Sequence, residues 1–330
     1  MGRKMKSFLY LSAALALTLI IIPAISAADK GKTEPVTAEE VTSVTENPDT
    51  DSGAVSVYIT TSGSVVNVSE FEYVCGAVAA EMPLSYNEEA LKAQAVACYT
   101  NAVRLRKEND GKNSSIGGAD ISDSSAVHQG YLSESDRRAK WGDSFEKYES
   151  KLEQCVSAVF GKILVYNNEP CIAAFHAICT GLTESADTVW GSDVAYLQSV
   201  RSSGDTLSPT YASTVTFTSE RMAEILDELG LDTKSSGTYF SGIKKSAAGT
   251  VTEIQLQNKK FTGAQIRKAF SLRSACFDVT EADGNVTFTV QGYGHGVGMS
   301  QYGADYMAKQ GSTYTEILSH YYCGAEISNA

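Results

Sequence analysis

The segment Gly76-Ala77-Val78-Ala79-Ala80-Glu81-Met82-Pro83 holds a single carboxylic acid among apolar neighbours. Pro83 biases Met82 away from the helical region, so a helix reaching Glu81 ends there. The helix dipole opposes a negative charge at that end. Apolar setting and dipole both favour the neutral acid. A carboxyl group that keeps its proton near neutral pH can give it to a leaving oxygen, which is what a general acid at a glycosidic bond must do. A plain solvent-facing helix residue would satisfy the same local sequence.

A second candidate is Tyr293-Gly294-His295-Gly296-Val297-Gly298-Met299-Ser300-Gln301-Tyr302-Gly303. Its glycines allow a tight fold with backbone N–H groups aimed inward, and a helix starts at its far end. Such a turn can cradle an anion or a sugar amide. It is not a phosphate loop, because the G-x-x-x-x-G-K-[ST] spacing is missing, and Met299 breaks G-x-G-x-x-G. The third cluster runs from Phe175 and His176 through Cys179 to Thr183 and Glu184, followed by Trp190-Gly191. His176 and Cys179 can be read as zinc ligands with Cys171 or His128, as a nucleophile pair, or as core residues. The ligand spacing is looser than in structural zinc sites, and nothing near Cys179 resembles an activating helix N-terminus. No metal and no organic cofactor is called for. Without G-x-S-x-G, a serine hydrolase has no footing.

These residues need a scaffold, and the composition supplies one. Apolar residues make up 43% of the 330 and charged residues 20%, the balance of a packed globular chain. Lys and Arg number 27 against 39 Asp and Glu, a net charge of −12 that leaves no basic face for nucleic acid and favours a neutral partner over an anionic polymer. Seven irregularly spaced cysteines are too sparse for a disulfide scaffold, although bridges stay open outside a reducing compartment.

Alternation of Val55, Val57 and Ile59 with polar residues predicts a strand, with Val65, Val66 and Val68 as its hairpin partner. Ser69 with Glu72, and Ser85 with Glu88, read as capping boxes for two helices, the second continuing through Leu105. A polar loop is expected over 107–126. Further helices are expected near 145–160, 220–229, 263–271, 300–310 and 315–322, and strands at 162–166, 171–176, 213–217, 251–256 and 285–291. Thr262/Gln265 and Thr313/Glu316 cap two of those helices. Helices and strands do not alternate regularly, which predicts an α+β fold with a mixed or antiparallel sheet, in one lobe or two.

The N-terminus reads as an export signal. Arg3, Lys4 and Lys6 precede an apolar run to Ile22 and then small residues, so residues 1–28 suit either a cleaved signal peptide or an uncleaved membrane anchor. Residues 29–53 are rich in Thr, Glu, Asp and Pro and read as a disordered tether. The expected location is extracytoplasmic, anchored or secreted to the wall.

The run EMPLSYNEEALKAQAVA (Glu81 to Ala97), the stretch Phe175 to Trp190-Gly191, and YGHGVGMSQYGA (Tyr293 to Ala304) with Ile317 to Tyr322 resemble the SpoIID/LytB family of bacterial cell-wall proteins. The resemblance spans roughly residues 54–327. It implies a lytic transglycosylase that cuts the MurNAc–GlcNAc bond of peptidoglycan strands in sporulation engulfment, beside an amidase that first strips stem peptides and the membrane partners of that machinery. Glu81 matches the family's catalytic acid/base. Substrate contacts are implied at His176, Thr183, Glu184, Tyr293, His295, Met299, Ser300, Gln301 and Tyr302. LytB-type relatives imply the alternative, a non-catalytic enhancer of an amidase. Two departures stand out: Tyr99 and Asn101 replace an arginine and a tyrosine, and Ala177 to Thr180 replace hydroxyl residues and a glycine. Some relatives are expected to bind zinc around the stretch aligned with Ser122 to Gln129, where this chain keeps only His128.

Overall fold

The computed structural model describes residues 53–109, 114–233 and 238–330. The signal or anchor segment, most of the tether and part of the expected 107–126 loop lie outside the described residues. The described residues belong to one compact unit that runs from Asp51 to Ala330.

The opening alternation folds as expected. Ala54–Ile59 pairs antiparallel with Ser64–Ser69, and Gly63 turns the chain at a φ of +69°. The short strand Ile121–Ser122 adds in parallel on the other side of Ala54–Ile59. Helix α1, Glu70–Glu81, starts on Ser69, whose hydroxyl accepts from the Glu72 N–H. Helix α2 is Glu88–Asn109, and every residue from Ala93 to Thr100 is buried in it. A helix covered on all sides must be central; α2 packs against α1 and against the later helices Phe145–Ser157, Gln301–Lys309 and Tyr314–Tyr321. Its cap differs from expectation. Asn87, not Ser85, accepts from the Glu89 N–H, because the helix begins later than a Ser85 box requires.

Helix α3, Glu134–Trp141, was not foreseen. Its one buried residue is Arg137, so no apolar period announces it. Helix α4 is Phe145–Ser157. Strand Lys162–Tyr166 lies between Glu326–Asn329 and Glu169–Pro170, antiparallel to both. The strand expected at 171–176 shrinks to Phe175–His176, which pairs in parallel with Met299–Ser300. Its earlier residues are held by side chains instead of a ladder: Ile172 N–H donates to the Tyr196 hydroxyl, and Ala173 N–H to Asn101 Oδ1. Helix α5 is the single turn Ala186–Trp190.

Residues 212–290 build a second lobe around their own core. Strand Asn285–Gln291 lies between Phe277–Ala282 and Ala212–Phe217, all antiparallel. A second antiparallel sheet orders Lys259–Phe261, Val251–Leu256 and Phe240–Lys245. Helices α6, Ser219–Glu228, and α7, Gly263–Ala269, close over them. Phe288 sits at the centre, with the rings of Phe217, Phe240, Phe270 and Phe277 at 5.0–5.8 Å. The Phe240 strand was unexpected because every residue after Phe240 is exposed. Helix α8, Gln301–Lys309, and helix α9, Tyr314–Tyr321, return the chain to the first core. Thr262/Gln265 and Thr313/Glu316 form the expected capping boxes. The fold is α+β, with small mixed and antiparallel sheets.

Candidate active site

Glu81 is the last residue of α1, and Met82 ends the helix by turning to an extended φ of −126°. The sequence offers no compensation for an acid at that end, but the structure does. From α3, Lys140 donates to the Ala79 carbonyl at 2.8 Å and lowers the Glu81 pKa by its charge. Gly130 N–H adds a 2.5 Å bond to Oε1. Burial outweighs both and holds the Glu81 carboxyl above the usual carboxylate range. No donor among the described residues meets Oε2.

The Gly130 segment is fixed between the first two helices. Gln129 donates to the Tyr73 hydroxyl and to the Cys98 carbonyl, and Tyr131 stacks on Tyr73 with ring centroids 5.7 Å apart. Asn101, on α2, both donates to the Ala173 carbonyl and accepts from its N–H, so it fixes the strand entry that leads to His176. Its partner departure, Tyr99, is directed elsewhere, onto Glu70.

The cleft that Glu81 lines also has a histidine wall. Gly294 and Gly298 have φ of +114° and +72°, and a Cβ on them would lie 2.6 Å from His176 Cβ and 2.1 Å from the Ala174 carbonyl oxygen. Only glycine allows that approach. Part of the turn's backbone is spent on the scaffold, since the amides of Gly294, Val297 and Met299 bond to Arg273 O, His295 Nδ1 and Ala174 O. His176 Nδ1 bonds to the Val297 carbonyl, so it carries the proton, and the buried Nε2 has no partner among the described residues. His295 Nδ1 accepts from Val297 N–H, which puts its proton on Nε2. Burial depresses His176 to about 3 and His295 to about 4, helped by His295 and by Arg267 respectively. Both rings are neutral at ordinary pH.

Glu81, His176, Tyr293, His295 and Gln301 line one open cleft of about 580 Å³. The other expected contacts sit elsewhere. Thr183 is wholly buried and accepts from Val200 N–H. Glu184 lines a small adjoining cavity, where the Ser246 hydroxyl donates to it. Met299 is buried in its strand pair, and the Ser300 hydroxyl donates to the buried Asp205. Tyr302 packs edge-on against Tyr86 outside the cleft lining. Cys179 is buried, burial pushes its thiol pKa up, and all seven cysteines are free, which leaves a thiolate nucleophile unsupported. His128 lines the cleft with its Nδ1 taken by the Ser122 N–H, and no cluster of metal-ligating side chains occurs among the described residues.

Sequence reading missed Arg104 on α2, Arg267 on α7 and Gly130, all of which reach the site. No motif marks them. Together the elements define an α+β protein in which one acid of raised pKa shares a cleft with a glycine-shaped histidine wall. The family model described as SpoIID, Stage II sporulation protein, matches residues 59–166. The chain is 40% identical over 277 residues to Stage II sporulation protein D of Bacillus amyloliquefaciens, covering 84% of this chain and 79% of that protein. It is 39% identical to the Stage II sporulation protein D of Bacillus subtilis strain 168 with the same coverage. Similarity extends to the amidase enhancer of Bacillus subtilis strain 168, at 26% identity over 77% of this chain and 40% of that one. The chain belongs to the stage II sporulation protein D family.

Proposed function

We propose that this protein is an exported lytic transglycosylase of peptidoglycan, acting on strands whose stem peptides an amidase has removed. The observation that carries the reading is Glu81, a carboxyl group held toward its neutral form by burial in an open cleft. One such group is enough. Glu81 gives its proton to the GlcNAc O4 as the C1–O4 bond breaks. Its carboxylate then takes the proton of the MurNAc C6 hydroxyl as that oxygen bonds to C1. The product is a 1,6-anhydro end, no water is consumed, and Glu81 regains its proton. Its site of action is the extracytoplasmic wall, to which the basic and apolar residues 1–28 direct the chain.

Mass spectrometry of the products from denuded strands tests this directly. The expected result is 1,6-anhydro ends from the wild type and none from Glu81→Gln. Ends heavier by one water would replace the transglycosylase with a hydrolase. Similarity to the amidase enhancer favours a second reading, a wall-binding modifier without turnover. Strand binding with no product, unchanged by Glu81→Gln, would select it.

A further inference from the structure

The chain carries twelve more acidic than basic charges, yet its cleft has the opposite balance. Its charged lining residues are Glu81, Arg104 and Arg267, and Glu81 is biased toward the neutral form. Arg104 is already engaged by Glu108 at 2.6 Å. Arg267 has no carboxylate partner among the described residues. Its Nε donates to the Leu272 carbonyl at 3.3 Å, which orients the guanidinium, and no described residue accepts from its terminal nitrogens. Arg267 is half-buried beside Tyr293 and His295, and desolvation disfavours its charge there. Arg273 stands 4.6 Å over the exposed Tyr293 ring, which brings a second cation without an acidic partner among the described residues next to that lining residue. A half-buried, unpaired guanidinium is costly alone and is matched by a planar anion that takes two parallel hydrogen bonds.

We propose that Arg267 reads a carboxylate on the substrate, namely the free lactyl carboxylate that a muramyl sugar exposes once its stem peptide is gone. The proposal rests on the glycan-strand reading of the cleft. The lactyl group is attached at O3 of the ring whose C1 reacts, so its carboxylate lies within one sugar of the bond that Glu81 protonates. With the stem peptide in place that carboxylate is an amide, uncharged and bulkier, and Arg267 loses its partner. The second lobe, through α7, thereby selects denuded strands, while the first lobe supplies the acid.

The test is strand affinity measured by calorimetry on the full chain in a Glu81→Gln background, which stops turnover. Three probes are compared: denuded strands, the same strands with lactyl carboxyls converted to methylamides, and strands bearing stem peptides. The expected result is about tenfold tighter binding of denuded strands than of amidated ones. Arg267→Gln is expected to remove that difference and leave amidated-strand affinity unchanged, with Arg267→Lys recovering part of it, since a point charge replaces the fork. Thermal melting of each variant confirms that it is folded. Equal affinity for carboxylate and amide strands, or an equal Arg267→Gln loss on both, would overturn the proposal while leaving the glycan reading intact. Peptide-bearing strands binding as tightly as denuded ones, with the same Arg267 dependence, would move the carboxylate to the peptide and refute the lactyl assignment. Failure to bind any strand would defeat the glycan reading itself.

Discussion

Gly130 N–H meets Glu81 Oε1 at 2.5 Å across 49 residues of chain, and the approach depends on the missing side chain. A Cβ at Gly130 would lie 2.9 Å from Ala80 Cβ and 3.0 Å from that same oxygen. Gly130→Ala must therefore push the acid or the loop aside. Turnover on denuded strands is expected to fall by up to about a hundredfold, the cost of displacing a reacting group by ~1 Å. A far-UV spectrum like that of the wild type alongside unchanged turnover would show that the contact does not position Glu81.

The pH dependence of turnover follows from the same acid. Glu81 must be protonated to act, and burial raises its pKa, so the rate is expected to fall as pH rises through that raised value. The nearby Lys140 charge favours the carboxylate. Removing it in Lys140→Met moves the descending limb to higher pH. A limb that moves down, or stays put, contradicts the assignment. His176 and His295, at about 3 and 4, do not titrate in that window.

Those two histidines govern acid stability instead. Their folded pKa values lie below the ordinary value of 6.5, so the unfolded chain binds protons first as pH falls. The contribution is whole above about pH 6.5 and is lost progressively toward pH 4 and below. Thermal midpoints measured across that range should drop, with a shallower slope in His176→Asn. An identical slope in the variant would exclude His176 as a source.

Arg137 is the largest fully buried side chain, and it bridges Glu149 at 2.6 Å, Glu72 at 2.8 Å and the Leu132 carbonyl at 3.0 Å. Arg137→Met leaves two carboxylates without their cation. Removing one partner of a buried pair costs about 3–5 kcal/mol, and the partial exposure of Glu72 places this case near the lower figure. Denaturant unfolding checks it. Because Leu132 lies beside Gly130, turnover should fall as well; a loss of stability with turnover intact would separate the ion cluster from the site.

Much of this was legible along the chain. The hairpin, the Thr262 and Thr313 capping boxes and the position of Glu81 at a helix end are local matters, fixed by period two, period 3.6 and the proline that follows. Helix α3 was not, because its buried face is one arginine whose carboxylate partners, Glu72 and Glu149, lie on α1 and α4. Nor was the division of the histidine-glycine motif, which sends Tyr293, His295 and Gln301 to the cleft and Met299 and Ser300 into the scaffold. Alternation along a strand puts neighbours on opposite faces, but which face becomes the cleft depends on what packs behind it.

Residue types and spacing by themselves determined that an acid ends a helix, that a glycine-rich histidine turn precedes another helix, and that the chain joins the stage II sporulation protein D family. Tertiary structure alone decided the company Glu81 keeps: Gly130 and Lys140 against it, and Arg267 on the lining of a cleft whose charge opposes that of the whole chain. Net charge is a sum over the chain and carries no positions, whereas the field at a site is set by the few groups that folding brings within Coulomb range.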